Sequence, residues 1–214
     1  MTKVSSTYKP EAVVMDDWSD FLLGHEANVY SQFGEDGLIE SLFIRIGAEN
    51  HWCFECGASD GVLYSNTKVL REAGWSAVLI EKSDKLVVDL TETAKTETNS
   101  KVVGMEIDGD TPLDEVLEYA GAPYDMDFGV IDIDGQDYWI WRDMMVFTPR
   151  VMLVEYALRN LHSVVVERGG GGGQSGRDVI VELGESKGYR ALAATPCNVL
   201  FVREDVIKDC DDNR

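Results

Sequence analysis

The residues best suited to chemistry lie at the ends of two apolar runs. Phe54-Glu55-Cys56-Gly57-Ala58-Ser59-Asp60-Gly61 delivers a carboxylate followed by small residues, and Gly129-Val130-Ile131-Asp132-Ile133-Asp134-Gly135-Gln136-Asp137 delivers three carboxylates. The first suits a nucleotide-like ligand, because Gly57 can turn sharply and Gly61 lets a ligand approach the backbone with no Cβ in the way. Glu81 closes the next apolar run, roughly 20 residues further on, where a second strand in such folds presents an acid to ribose hydroxyls. The second segment suits general-base chemistry on a substrate hydroxyl, or orientation of a cofactor's amino group. Like charges packed at one strand end raise one another's pKa unless cations, donors or water offset them, so the cluster is costly as decoration. A solvated acidic turn is the plainer reading. Asp132, Asp134 and Asp137 could also hold a divalent metal ion through oxygen ligands. No histidine lies nearby in sequence to favour a transition metal.

Two further segments belong with these. Glu155 and Tyr156 end the run that follows the aspartates, with His162 a few residues later, where a base could reach a bound acceptor. In Tyr30-Ser31-Gln32-Phe33-Gly34-Glu35-Asp36-Gly37, Ser31 and Glu35 can cap the helix that follows, or Gln32 and Glu35 can close over a cofactor. Cys53 and Cys56 have the CxxC spacing of metal and redox sites, but they fall in an expected strand. Residues three apart there point to opposite faces, so buried packing is the better reading.

The elements that must position these residues alternate. Strands are expected at Trp52 to Cys56, Ser76 to Ile80, Lys101 to Ile107, Phe128 to Ile133 and Arg150 to Glu155, which is the βαβ rhythm of a parallel sheet. Leu38, Ile39, Leu42, Phe43 and Ile46 recur at helical spacing, so Glu35 to Ile46 forms an amphipathic helix on one sheet face. Ser65 to Ala73, Asp84 to Lys95, Thr111 to Ala120 and Gln136 to Phe147 read as the crossover helices. After a helix near Arg177 to Lys187, Tyr189 to Thr195 and Asn198 to Arg203 lie too close together to be parallel. The expected fold class is therefore α/β, a mostly parallel Rossmann-like sheet flanked by helices and ending in an antiparallel hairpin. Gly169 to Gly173, five consecutive glycines, must be a loop, either a bland linker or a lid on the ligand side.

With 214 residues and 44% hydrophobic content the chain can bury one substantial core. We expect one domain at 30–214 behind an N-terminal extension at 1–29. The 39 acidic and 19 basic residues leave a charge of -20, which repels phosphate backbones and anionic lipid. Neither nucleic acid nor a membrane is an expected partner, and a cytoplasmic location is expected.

Together these segments, from about Tyr30 to Arg203, resemble the FkbM-type methyltransferases, a branch of the S-adenosylmethionine-dependent class I methyltransferase superfamily. Glu55-x-Gly57-Ala58-Ser59-x-Gly61 is similar to the family's acid-x-Gly-Ala-Asn-x-Gly loop, with Ser59 in place of Asn. Asp132 to Asp137 is similar to its Asp-Val-Glu-Gly-Ala-Glu segment, and Pro149 to Glu155 to its Pro-then-apolar-then-Glu strand. Ser31 to Gly37, Ser65-Asn66-Thr67 and Asp132 to Trp139 resemble most closely a largely uncharacterised bacterial and viral subgroup, from which Ala157 departs where Asn is expected. The resemblance implies S-adenosyl-L-methionine as cofactor, with Glu55, Gly57 and Gly61 around its methionine part, Glu81 on the ribose and Asp108 near the adenine. Gln32, Glu35, Ser59, Asn66 and Asp132 complete the expected cofactor set. Asp132, Asp134 and Glu155 would stand at the transfer site, facing a small-molecule or glycan hydroxyl. A catalytically silent binding module and, less favoured, a nicotinamide-dependent oxidoreductase are the alternatives.

Overall fold

The computed structural model describes residues 9–13, 16–97, 99–107, 112–158, 163–170 and 173–213. In chain order the first half comprises β1 (Glu11–Ala12), α1 (Asp17–Leu22), α2 (Glu35–Ile46), β2 (Trp52–Cys56), α3 (Lys68–Glu72), β3 (Ser76–Glu81), α4 (Asp84–Ala94) and β4 (Ser100–Gly104). The second half comprises α5 (Leu113–Tyr119), β5 (Phe128–Ile131), α6 (Asp137–Asp143), β6 (Val151–Glu155), α7 (Arg177–Ser186), β7 (Tyr189–Ala194), β8 (Asn198–Arg203) and α8 (Glu204–Asp212). The described strands form one eight-stranded sheet in the order β1-β7-β8-β6-β5-β2-β3-β4. Strands β2 to β6 pair in parallel, and β8 lies antiparallel to both β6 and β7, as the close spacing of the last two runs requires.

The apolar alternation sorts side chains to the two faces. Cys53 packs with Leu38, Leu42 and Val130 beneath α2, whereas Phe54 and Cys56 pack with Ile131, Trp141 and Ile180 under α6 and α7. The two thiols of the CxxC spacing therefore lie on opposite sides of the sheet, both buried and unoxidised. Burial pushes both thiols well above their ordinary range.

The N-terminal segment packs onto the edge of the sheet. Glu11 and Ala12 pair antiparallel with β7, Ser19 Oγ donates to the Leu192 carbonyl at 2.8 Å, and Trp18 and Leu22 join the core. The Arg45 guanidinium lies 3.6 Å from the Trp18 ring centroid and ties α1 to α2. Helix α3 begins three residues later than expected because Ser65, Asn66 and Thr67 are bound to Glu55. No described helix is long and apolar enough to cross a membrane.

Candidate functional site

From β2 the chain steps outward through β3 to β4, then returns to place β5 on the other side of β2. Carboxyl ends of strands diverge at such a reversal and leave a crevice. A cavity of about 240 Å³ opens there. Gly57, at φ 95°, makes the turn out of β2. Its N–H and that of Ala58 both donate to the Ile80 carbonyl at 2.9 Å, and the Asp132 N–H donates to the Cys56 carbonyl at 3.0 Å. Gly61 has a different neighbour from the one expected. A Cβ there would meet Leu90 Cδ1 of α4 at 2.6 Å, so its small size serves helix packing, and it is not among the residues lining the cavity.

Glu81 lines the cavity from the end of β3. One carboxylate oxygen accepts the Ser59 N–H at 2.9 Å and the other the Ser83 N–H at 2.8 Å. Ser59 is left-handed at φ 51° and Asp134 at φ 59°, both unusual for residues with a Cβ. Each has its amide held by a carboxylate, Ser59 by Glu81 and Asp134 by Glu155 at 2.8 Å. Strained turns of this kind persist where surrounding bonds over-determine them, and they cluster at ligand sites. Met105, Ile107 and Leu86 supply an apolar wall.

The aspartates after β5 divide their work. Asp137 accepts the Ile133 and Gly135 N–H groups at 2.9 and 3.0 Å, shaping the turn. Asp132 and Asp134 line the cavity. The Asp132 and Glu155 carboxyls hydrogen-bond to each other. Burial first and then the charge of Asp137 push Asp132 up, against the hydrogen bond with Glu155, while burial and the charges of Asp132 and Asp137 push Glu155 up, so the pair retains a proton that an isolated pair of carboxylates would lose. Among the described residues no group of three or more His, Cys, Asp and Glu side chains is arranged to hold a metal ion.

Other expected site residues stand elsewhere. The Glu55 carboxylate turns to the 65–67 segment, accepting from Ser65 Oγ at 2.7 Å, the Asn66 N–H at 2.7 Å and Thr67 Oγ1 at 2.6 Å. Arg71 completes that network by donating to Thr67 Oγ1, Ser65 Oγ and the Gly61 carbonyl. Glu55 thus shapes the loop rather than lining the cavity. Asn66 is buried behind the same loop, its Oδ1 without a donor among the described residues. Gln32 is exposed, and its carbonyl accepts from Asn28 Nδ2 at 2.9 Å. Ser31 Oγ caps α2 through the Asp36 N–H, while Glu35 Oε2 accepts the Phe33 N–H at 2.7 Å. Asp108 and His162 fall outside the described residues.

The glycine run reaches the site at both ends. Gly169, Gly170 and Gly173 border a hollow adjoining the cavity, with Lys82, Asp134 and Gln136. The Gln136 amide fastens it, accepting the Gly169 N–H at 2.9 Å and donating to the Glu167 carbonyl at 3.1 Å. Sequence reasoning had not singled out this fastening or Asn198, which lies directly across from Glu155.

Solved structures of similar architecture include methyltransferases. Magnesium protoporphyrin IX methyltransferase from Synechocystis PCC 6803, with bound SAH, aligns over 79% of this chain and 81% of its own at 13% identity, with a TM-score of 0.52. This chain has the class I methyltransferase fold. The citrinin polyketide synthase CMeT domain matches that fold over 79% of this chain and 51% of its own, at 13% identity and a TM-score of 0.51. The N-terminal domain of EvdMO1, solved in the presence of SAH and D-fucose, covers 79% of this chain and 82% of its own, at 14% identity and a TM-score of 0.50. No family model matches the chain, and a search of curated proteins finds no match.

Proposed function

We propose that this methyltransferase fold is a working S-adenosylmethionine-dependent O-methyltransferase of the FkbM type, acting on a hydroxyl of a sugar or small metabolite. The observation that carries the reading is the Glu81 carboxylate. It is held by the Ser59 and Ser83 amides at the rim of a cavity at the strand reversal, with acceptor capacity left for two ligand hydroxyls. The residues present fit the cofactor. Glu81 would take the ribose, Met105 and Ile107 would flank the base, and the Gly57 turn would lie along the methionine part.

The bound cofactor would supply a methyl group made electrophilic by its sulfonium, so that a C–O bond forms as the C–S bond breaks. The chain's contribution is positioning, together with a home for the acceptor's proton. The Asp132 and Glu155 pair suits the second task in its singly ionised state, when one carboxylate oxygen can take a proton. Taking that proton leaves the pair neutral, so the step relieves a buried charge instead of adding one. Asp134, on the same strained turn, lines the cavity beside them.

Isothermal titration with S-adenosylmethionine and S-adenosylhomocysteine tests the reading. Binding of both is expected, and failure of either to bind at millimolar concentration would sink it. Cofactor binding with no turnover on any hydroxyl acceptor would favour the silent binding module instead.

A further inference from the structure

Antiparallel pairing of β6 with β8 sets Glu155 directly opposite Asn198, so their side chains stand on one face as close neighbours. Parallel pairing of β5 with β6 matches Ile131 to Val154, which brings Asp132 beside Glu155 in the next row. The face is the one that α2 covers. Two residues back from Asp132 and Glu155, and two on from Asn198, Val130, Leu153 and Leu200 pack with Leu38 and Leu42 of that helix. Glu35, in the first turn of α2, stands on the same side of that helix as Leu38 and Leu42, the side turned to this face. The Cys197 thiol is pushed up by burial first, and then by the charges of Glu35, Asp132, Glu155 and Asp134 together.

Two buried acceptors on this face have no donor among the described residues. Asn198 is only 3% exposed and Glu35 only 1%, yet Asn198 Oδ1 and Glu35 Oε1 find no partner among the described residues. The Asn198 amide nitrogen donates to the Cys197 sulfur at 3.4 Å. A buried acceptor left unmatched forfeits its hydration, and a bound molecule that brings O–H or N–H groups restores it. The surrounding carboxyls repel an anion and favour donors or a positive charge.

Resting on the methyltransferase reading, we propose that this face is the acceptor subsite, and that the acceptor is a polyol or amino polyol rather than a phenol, a carboxylic acid or a phosphate ester. Hydroxyl or ammonium groups of such a molecule donate to Asn198 Oδ1 and Glu35 Oε1, leaving the reacting hydroxyl on the Asp132 and Glu155 pair. Both sources of donors satisfy the same chemistry.

The test uses the full chain loaded with S-adenosylhomocysteine and saturation-transfer NMR against methyl hexosides, amino sugars, uronic acids, sugar phosphates and simple phenols. Methyl hexosides or amino sugars should bind and the other three classes should not; which of the two binds better separates hydroxyl from ammonium recognition. Asn198→Leu should weaken that binding roughly tenfold, as loss of a buried hydrogen bond would. Glu35→Gln, which turns the unmatched acceptor into a donor, should do the same should the leucine variant not fold. Calorimetric affinity for S-adenosylhomocysteine should be unchanged in both. Preference for phenols or anions, or no polyol binding by a protein that does bind S-adenosylhomocysteine, overturns the acceptor assignment and leaves the methyltransferase reading standing. No binding of S-adenosylhomocysteine overturns that reading and this assignment with it.

Discussion

The Cβ that Gly57 lacks would stand 1.8 Å from the carbonyl oxygen of Asp132. The cofactor-side turn and the acidic turn thus meet backbone to backbone, and any side chain at position 57 must force them apart. Gly57→Ala adds that overlap to a φ of 95°, and we expect it to cost about 3 kcal/mol or more. Gly74→Ala, at φ 92° but with nothing within 4 Å of its Cβ, should cost only about 1 kcal/mol. Urea midpoints for the two variants check the difference, and equal losses would refute the close approach as the cause.

Glu81 is the residue most exposed to a direct cofactor test. Glu81→Ala should keep the fold, because the amides of Ser59 and Ser83 can turn to water at the cavity rim. It should weaken S-adenosylhomocysteine binding roughly tenfold to a hundredfold, the worth of one or two charge-assisted hydrogen bonds. Calorimetry with a circular-dichroism control reads both. Unchanged affinity in a folded variant would remove Glu81 from the ribose.

The carboxyl pair predicts a pH dependence of defined sign. Burial, and then neighbouring negative charge, push Asp132 up to about 7 and Glu155 up to about 10. A carboxyl whose pKa is raised by folding contributes its full stability below its unfolded value and loses it as pH rises through the folded one. Stability should therefore decline from about pH 4 through neutrality and on towards about pH 10. Glu155→Gln removes the last charge to be buried and should flatten the alkaline half of that decline in urea melts taken across the range. An acid limb runs the other way. Burial raises the Asp127 carboxyl, but the Glu49, Asn50 and His51 amides and Arg150 outweigh it and hold it below its ordinary 3.8. That contribution is lost as pH falls below the same value.

Cysteine reactivity offers a simple check on the sheet. Cys53, Cys56 and Cys197 are buried with thiols pushed up by burial, whereas Cys210 is partly exposed on α8. In the native protein a thiol reagent should modify Cys210 first and the other three only on unfolding. Zinc should not protect the Cys53 and Cys56 pair, and protection by zinc in the folded state would overturn the placement of those sulfurs on opposite faces.

Much of this architecture is legible locally. A strand's two-residue period was enough to separate Cys53 from Cys56, and a helix's 3.6-residue period to delimit Glu35–Ile46. The close spacing of Tyr189 to Ala194 and Asn198 to Arg203 required an antiparallel pair. The short pieces at the ends were not legible. Glu11–Ala12 is two residues long and owes its place to β7, and α8 is a polar helix held by the buried side chains of Val206 and Ile207. The first is too short to carry a period, and the second, although its Val206, Ile207 and Cys210 share one side, follows β8 with no intervening turn residue to mark its start.

Glu55 and Asp132 mark the boundary between the two kinds of information. By itself the sequence determined that each ends a strand, that a glycine must turn the chain beside the first, and that Glu81 ends the strand after it, because these follow from backbone sterics and side-chain alternation. Only the tertiary structure decided where the carboxylates look. Glu55 is claimed by Ser65, Asn66 and Thr67, while Asp132 meets Glu155 and shares its face with Asn198 through the pairing of β5 with β6 and β6 with β8. The partners of Asp132 lie far apart along the chain and meet through register across strands, whereas those of Glu55 are brought back by the path of the loop before α3; local periodicity encodes neither.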